Sequence, residues 1–231
     1  MLARSRSNSR PILVAAISGR ALAASARRAG YRVLVADMFC DMDTVALAER
    51  VARLPGDFHR GIDGERLMEA LEDLAGDEDP LAVVCGSGFE RGPQMLDAIS
   101  TRFHLAGSCA ETIGRVKVPE RFAADCAALG IPHPQISRTP PPDPENWLAK
   151  TQGAAGGTHI RPASGMKADP ARYFQRIVHG DNVSALFVAD GERARIVGFS
   201  RQFAAPRHDA PYRYGGALRL RRFDRRHAAM I

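Results

Sequence analysis

The chain has 231 residues, of which 45% are hydrophobic and 25% are charged, with 21 glycines and 15 prolines. These proportions are typical of a folded globular protein, and they exclude a collagen, a coiled coil and a wholly disordered chain. No apolar run approaches the ~18 to 20 residues that a membrane span requires, so we expect no membrane partner. The length suits one large domain or two small ones.

The first ten residues contain three arginines and few apolar side chains, which predicts a disordered basic lead-in over residues 1–10. The apolar run that follows, residues 12–17, is short, so a secretory signal peptide is the less favoured alternative. The four cysteines lie far apart with no C-x-x-C spacing, and the seven histidines show no close metal-ligand pairing. We therefore expect a cytoplasmic protein with buried, reduced thiols.

The net charge of +6 is unevenly distributed along the chain. Residues 1–150 hold 18 basic and 20 acidic side chains, a net charge of −2, whereas residues 151–231 hold 14 and 6, a net charge of +8. A basic surplus of this kind indicates a polyanionic partner, either nucleotide phosphates or nucleic acid. The same basic surplus would also be seen if acidic sequence that compensates for it were absent.

From residue 11 to about residue 107, short apolar strands alternate with helical patterns. The predicted strands are 11–17, 32–36 and 81–85, and the predicted helices are 20–29, 43–54, 63–75 and 94–101. Strands separated by helices of this length predict βαβ units on a parallel sheet. The first half is therefore an α/β domain of the Rossmann-like type, which we place at residues 11–108.

The second half has a different pattern. Ser108 to Glu111 fits an S-x-x-E capping box, and residues 118–129 predict an amphipathic helix. Strands are predicted at 173–178, 183–189 and 194–203, with a hairpin turn at 190–192. We place an α+β domain with an antiparallel sheet at residues 109–231.

The turn after the first strand lies where a Rossmann-like domain would bind a dinucleotide. It contains only Gly19 where the G-x-G-x-x-G fingerprint needs three glycines, which argues against NAD. Asp37, at the end of the second strand, either caps the local backbone or contacts a substrate at the carboxyl edge of the sheet.

A stronger candidate is the segment WLAKTQGAAGGTHI at residues 147–160. Here Lys150 ends an apolar strand and a glycine-rich loop follows, so one ammonium and several backbone N–H groups can surround a polyphosphate. The segment is not a Walker A loop, because no G-K-[ST] follows. A Gly-rich turn with no ligand is the alternative.

The context of that segment resembles the ATP-grasp superfamily. Lys117 and Lys150 resemble its two phosphate-binding lysines, VKVPERFAADCAALGIPHP at 116–134 resembles the run into its first subdomain, and YFQRIVHGDNVSALFVADG at 173–191 resembles its hinge strand. The stretch ILVAAISGRALAASARRAGYRVLVADMFCDMDT at 12–44 is similar to the pre-ATP-grasp domain of the predicted ATP-dependent carboligases. The resemblance covers nearly the whole chain.

The resemblance implies a role for each residue at the matching positions. Lys117 and Lys150 would contact the ATP phosphates, and the amides of Gly156 and Gly157 would cover them. Gln175 would lie beside adenine, with the backbone from Arg176 to Val178 at the base edge. Asn182 falls where many members carry a ribose-binding Glu, and an amide lacks that charge.

The implied activity is activation of a small carboxylate as an acyl phosphate, which an amine or a thiol then attacks. ATP is the implied cofactor together with Mg²⁺, but the acidic residue and the Glu-x-Asn element that hold the metal have no match, since only Asp209 and Asp224 follow Gln202 among the acidic residues. We therefore expect an ATP-grasp protein shortened at its C-terminus, with impaired turnover.

Two other functions remain open. One is a non-catalytic nucleotide-sensing or partner-binding module that kept the lysines and the glycine loop. The other is nucleic-acid binding by the arginine-rich segment 219–226, which we disfavour because that run has one aromatic residue and matches no known module. Truncation would expose a sheet edge, so a homodimer is also left open.

Overall fold

The computed structural model describes residues 8–57 and 61–221, and these divide between two compact units, 1–122 and 123–231. The domain bounds 11–108 and 109–231 stay a prediction. Within the described part of the chain, none of the helices is long and apolar enough to cross a membrane. The described cysteines are free thiols, but only Cys126 is buried and Cys109 is exposed, so the expectation of buried thiols is wrong for Cys109.

The first unit is built on a parallel sheet flanked by helices. Its strands are β1 (Asn8–Ala16), β2 (Tyr31–Asp37), β3 (Arg50–Arg53), β4 (Gly56–Asp57), β5 (Gly61–Ile62) and β6 (Ala82–Cys85). Its helices are α1 (Arg20–Arg28), α2 (Met42–Leu47), α3 (Gly64–Ala75), α4 (Gln94–Arg102) and α5 (Ala110–Lys117). The parallel sheet has the order β3-β2-β1-β6, and β4 and β5 form a separate antiparallel pair.

Both faces of the parallel sheet are buried, which explains why its strands are continuously apolar. Leu13 and Leu34 pack with Leu67 and Leu71 of α3 on one face. Val14, Val33 and Val35 pack with Ala23 of α1 on the other face. The predicted α/β architecture is confirmed.

β1 begins earlier than the sequence predicts. It starts at Asn8, and Arg10 donates to the carbonyl oxygens of Asp79 (2.9 Å) and Pro80 (3.0 Å). The predicted disordered lead-in is therefore wrong for residues 8–10, because the Arg10 guanidinium ties this part of the strand to the loop before β6. Residues 1–7 of the predicted lead-in lie outside the described part of the chain.

The predicted helix over 43–54 is wrong in its second half. α2 ends at Leu47, Ala48 is extended, and Arg50–Arg53 pair in parallel with β2. The Leu54 N–H donates to the Asp37 carbonyl oxygen at 2.8 Å, which continues this pairing. A four-residue edge strand has too few residues for its period to be told from that of a helix end.

The capping box predicted at Ser108 to Glu111 does not form. α5 has Cys109 as its N-cap, and no side chain caps the helix there. The amphipathic helix predicted next is α6 (Pro119–Ala128), and Gly130 follows it with a φ of 67°.

The second unit contains two antiparallel sheets. Its strands are β7 (Ile136–Ser137), β8 (Trp147–Thr151), β9 (Arg161–Pro162), β10 (Arg172–Arg176), β11 (Val183–Ala189), β12 (Ala194–Ala204) and β13 (Tyr214–Arg219). One sheet has the order β7-β10-β8-β9 and the other the order β11-β12-β13. A 3-10 turn at Pro144–Asn146 precedes β8. The predicted antiparallel sheet is confirmed.

The β11-β12-β13 sheet exposes apolar side chains on both faces. Phe187 and Val188 are neighbours on a regular part of β11, so they point to opposite faces, and they are 58% and 67% exposed. The predicted hairpin turn joins β11 to β12, where Asp190 accepts from the N–H groups of Glu192 and Arg193. β13 was not predicted, because its Tyr-Gly-Gly start has the composition of a turn.

Candidate functional site

Residues of β8 and β10 alternate between an apolar face and a polar face. Ala149 and Phe174 are buried, and together with Trp147 and Ala163 they form the core of this sheet. Lys150 and Gln175 are the neighbours of those core residues along their strands, so they lie on the opposite face. The strand period therefore separates the structural side chains from the candidate binding side chains.

Lys150 and Gln175 meet on this polar face. Lys150 pairs with Tyr173 in the ladder, and Gln175 is two residues further along β10. Diagonal neighbours on one face of a sheet are within reach of long side chains. Lys150 Nζ donates to Gln175 Oε1 at 2.7 Å, so the structure brings two predicted site residues together.

The Lys150 ammonium is half-buried, and this burial lowers the pKa of its side chain. Removal from water disfavours the charged form of a lysine. Among the described residues no carboxylate forms an ion pair with it, and its hydrogen-bond partner is a neutral amide. A bound anion would therefore relieve an electrostatic cost that the folded chain carries.

The glycine loop follows β8 directly. Gly153, Gly156 and Gly157 have φ values of 70°, 71° and 74°, a region that side chains disfavour. The Tyr214 N–H donates to the Gly156 carbonyl oxygen at 2.8 Å, and a Cβ on Gly157 would lie 2.0 Å from the Tyr212 carbonyl oxygen. The loop is thus fitted against the segment that leads into β13.

The N–H groups of Gly156 and Gly157 donate to no other group within the described ranges. No described group competes for these two donors, so they are available to an anion. Their contact with phosphate stays a prediction.

The backbone predicted at the base edge is only partly available. The Arg176 N–H donates to the Gln135 carbonyl oxygen and the Ile177 N–H donates to that of Asn146, both at 2.9 Å. Val178 is 71% exposed, and its N–H makes no hydrogen bond with the described residues. Val178 is therefore the backbone donor of this stretch that a base can reach.

The other two predicted site residues are Asn182 and Lys117. Asn182 is exposed just before β11, and its carbonyl oxygen accepts from the Gln202 N–H at 2.7 Å. Lys117 is the last residue of α5, half-buried, in the first unit. The roles of both residues in ATP binding stay predictions.

Sequence reasoning missed a polar cluster that anchors the ends of β8 and β10. Asp143 accepts from Trp147 Nε1 at 2.9 Å and from Asn146 Nδ2 at 3.2 Å, and it pairs with Arg176 at 3.4 Å. The Arg176 guanidinium also lies 5.9 Å from the centroid of the Trp147 ring. The segment TPPPDPENW predicted only a solvated connector, although Asp143 next to Pro144 is a signal for a turn.

A family model described as an ATP-grasp domain matches residues 118–229. This stretch is similar to ATP-grasp domains. The resemblance stated from the lysines, the glycine loop and the hinge strand is confirmed. No curated protein matches the sequence.

Solved structures share the fold of this chain. The N5-carboxyaminoimidazole synthetase of Staphylococcus aureus in complex with ADP has a TM-score of 0.65 and 14% identity, over 96% of this chain and 61% of that chain. A protein of the ATP-grasp superfamily from Archaeoglobus fulgidus has a TM-score of 0.63 and 14% identity, over 94% and 68%. The chain thus spans about three-fifths of the length of the synthetase.

A third solved structure extends the likeness to another enzyme. The biotin carboxylase domain of 2-oxoglutarate carboxylase from Hydrogenobacter thermophilus, in complex with MgADP, ADP and bicarbonate, has a TM-score of 0.61. Its identity is 12%, over 86% of this chain and 51% of that chain. At such identities the likeness shows the fold.

The implied Mg²⁺ has no preformed cluster of ligands among the described residues. Across residues 8–57 and 61–221, no group of three or more His, Cys, Asp or Glu side chains could hold a metal ion. Magnesium bound with a nucleotide needs one or two carboxylates, and Asp209 is a single exposed carboxylate. Asp224 lies outside the described residues.

Asp37 has a structural role at the carboxyl edge of the parallel sheet. Its carboxylate is buried and accepts from the N–H groups of Gly19 (2.8 Å), Phe39 (3.1 Å) and Cys40 (2.6 Å). These three hydrogen bonds favour the capping interpretation over a substrate contact.

A cavity of about 140 Å³ lies at the same edge of the sheet, beyond the end of β6. Its polar lining includes Glu90 and Ser108, and its apolar lining includes Phe89, Leu96 and Leu105. Open α/β sheets bind ligands outside the carboxyl ends of their strands, near the point where the strand order reverses. In this sheet the order reverses between β1 and β6.

Proposed function

We propose that the ATP-grasp domain binds ATP on the polar face of β8 and β10. Lys150 contacts the phosphates, Gly156 and Gly157 cover them with their N–H groups, and Gln175 lies beside the base with the Arg176 to Val178 backbone. The family resemblance implies a phosphate contact for Lys117 and a ribose contact for Asn182, and we propose these roles here. The chain belongs by this proposal to the enzymes that use ATP to activate a carboxylate.

The observation that carries the proposal is the state of Lys150. It is a half-buried cation with no carboxylate partner among the described residues, and a loop with free N–H groups follows its strand. Backbone N–H groups together with an ammonium form an anion-binding concavity. A structural lysine would instead pair with an acid or extend into water.

The proposed reaction has two steps. A carboxylate oxygen attacks the γ-phosphorus of ATP, the bond to the β–γ bridging oxygen breaks, and an acyl phosphate and ADP form. An amine or thiol then attacks the acyl carbon, and inorganic phosphate leaves as the proton of the nucleophile is lost. Lys150 would offset charge on the phosphates, which is positioning and electrostatics rather than covalent chemistry.

The first unit would help to hold the acceptor. The cavity beyond β6 supports this assignment, since it combines Glu90 and Ser108 with apolar walls. A carboxylate beside apolar surface suits a small molecule with an amino group.

A second candidate function is nucleotide sensing without catalysis. Binding of the phosphates by Lys150 and the loop N–H groups is sufficient for this function, whereas phosphoryl transfer also depends on neutralising the charge of the transferring phosphate. ADP release that depends on ATP, Mg²⁺ and a carboxylate would identify a ligase. Binding of ATP without such release would identify a sensor or an impaired ligase. We expect binding without release.

Thermal unfolding with and without ATP tests the proposed binding. A ligand that binds the folded state raises the apparent stability by RT ln(1 + [L]/Kd), so at 100 times Kd the gain is about 2.7 kcal/mol. Lys167 is exposed, so Lys167→Ala is the control for the loss of a lysine. We expect ATP to stabilise the wild type and Lys167→Ala, but not Lys150→Ala. Equal stabilisation of all three proteins would refute the phosphate assignment.

A further inference from the structure

The cavity beyond β6 contains a carboxylate that is only partly satisfied. Glu90 Oε2 accepts from the Gly88 N–H at 2.8 Å, and Glu90 Oε1 has no hydrogen-bond or ion-pair partner among the described residues. Gly88 has a φ of 121°, and a Cβ there would lie 2.7 Å from Ile62 Cδ1. The turn therefore requires glycine, and it holds the half-buried Glu90 with one oxygen fixed and the other available to a ligand.

The rest of the cavity lining does not offset this negative charge. Its apolar walls are Phe89, Leu96, Leu105 and Ile113, and its other polar side chain of note is the neutral hydroxyl of Ser108. The described residues that line the cavity include no lysine, arginine or histidine. A carboxylate drawn partly out of water beside an apolar surface is disfavoured, and a bound cation relieves that cost.

The volume of the cavity limits the size of its ligand. It is about 140 Å³, and an apolar cavity of about 150 Å³ holds one benzene molecule. An apolar body of about four to six carbons therefore fills the space, with its polar group at Glu90.

The same surroundings distinguish an amine from a thiol. Cys85 also lines the cavity, and burial raises the pKa of its thiol to about 12. A thiolate ligand would bear a similar desolvation cost together with the repulsion of the Glu90 carboxylate. An ammonium would instead donate a charge-assisted hydrogen bond to Glu90 Oε1.

We propose that this cavity binds a small primary amine with an apolar body of about four to six carbons, whose ammonium donates to Glu90 Oε1. The inference rests on the proposed function, in which an amine or a thiol is the attacking group, and it selects the amine. A free amine and an α-amino acid both carry an ammonium on an apolar body, so the experiment includes one of each.

The test is an NMR titration of the isotope-labelled full chain, without ATP, with ligands of one shape. Isopentylamine carries the ammonium, and isopentanol and isopentanethiol replace it with a neutral group. We expect isopentylamine to bind with a Kd on the order of one millimolar and to shift the amide signals of Gly86, Gly107 and Ser108. The alcohol and the thiol should bind at least about tenfold more weakly, because they lack the charge-assisted hydrogen bond.

Glu90→Gln removes the charge while keeping an oxygen that accepts from the Gly88 N–H, so the turn should persist. We expect this variant to bind isopentylamine at least about tenfold more weakly than the wild type and isopentanol equally well. Glu111→Gln removes an exposed carboxylate from the first turn of α5, and as the matched control it should keep the wild-type affinities.

Leucine, which adds a carboxylate to the same body, identifies the source of the amine. Binding of isopentylamine or leucine that depends on Glu90 supports the inference, and the tighter of the two shows whether the ligand is a free amine or an amino acid. Binding of neither, or equal affinities for isopentylamine and isopentanol, would overturn it. If Glu90→Gln fails to fold, the comparison of ligands on the wild type decides. Because no nucleotide is present, a failure of ATP binding would refute the proposed ATP site and leave the amine result unchanged.

Discussion

Lys150 of β8 and Gln175 of β10 are joined by a 2.7 Å hydrogen bond on the face of the sheet opposite Phe174. The sheet therefore has a packed side, which holds it together, and a polar side on which a cation is kept at an energetic cost. Such a cost is typical of a binding site, where stability is lower than the same scaffold could reach.

The first prediction concerns the stability of the protein without ligand. Burial lowers the pKa of Lys150 in the folded state relative to the unfolded state. Below the folded pKa both states are protonated and only the folded state bears the desolvation cost, so Lys150→Met should raise the melting temperature at neutral pH.

This gain should shrink at alkaline pH. As pH rises above the folded pKa, the wild-type lysine loses its proton and its stability increases, because the unfolded state then binds more protons. Melting temperatures of wild type and Lys150→Met across the pH range, with Lys167→Met as control, check the sign. A variant less stable than the wild type at neutral pH would contradict it.

Gly156 and Gly157 provide a matched pair for the second prediction. Both have positive φ, so alanine at either position should cost about 1 kcal/mol in backbone strain. Only at Gly157 would the new Cβ meet backbone, 2.0 Å from the Tyr212 carbonyl oxygen, whereas nothing lies within 4 Å at Gly156. Chemical denaturation should show Gly157→Ala to be the less stable variant. Equal free energies of unfolding would mean that the loop does not rest on the 212–214 segment.

The third prediction follows from the burial of Asp37. Alanine at this position would remove the acceptor of the buried Gly19 N–H and of two part-buried N–H groups, and a buried group left unsatisfied costs about 1 to 3 kcal/mol. We expect Asp37→Ala to lose about 1 to 3 kcal/mol of unfolding free energy. Asp43→Ala removes an exposed ion pair with Arg20 and should change the free energy by less than about 1 kcal/mol. A small loss for Asp37→Ala would reopen a role in substrate binding.

The fourth prediction is acid sensitivity of the second unit. Hydrogen bonds from Asn146 and then Trp147 hold the pKa of Asp143 below its usual range. The stabilisation is present above the ordinary aspartate pKa and is lost as pH falls through the lowered value. The wild type should therefore have a higher melting temperature than Asp143→Ala at neutral pH. The difference between the two melting temperatures should become smaller in strong acid. Trp147 fluorescence reports the transition, and a difference independent of pH would show that packing rather than charge is responsible.

The sequence predicts the parallel sheet well because its signals are local. The apolar runs that became β1, β2 and β6 are buried on both faces, and the alternation with helices determines their direction. β3 was assigned to a helix because its pairing with β2 depends on residues distant in the chain. β13 was missed for the same reason, since its glycines are compatible with a strand only when β12 lies beside it.

The candidate site was predicted as a set of residues but not as contacts. Lys150 was identified from its position between an apolar strand and a glycine loop. Its contact with Gln175 depends on the register of β8 against β10, which one sequence does not determine. The Asp143 cluster depends on the same register, because Arg176 reaches it from the other strand.

The most direct test of phosphate recognition is the affinity of the chain for ATP and for adenosine, measured by calorimetry in the wild type and in Lys150→Ala. If Lys150 binds phosphate, the variant should bind ATP at least about tenfold more weakly, because it loses a charge-assisted hydrogen bond. Its affinity for adenosine should not change. An unchanged affinity for ATP, or an equal loss for both ligands, would show that Lys150 does not contact the phosphates.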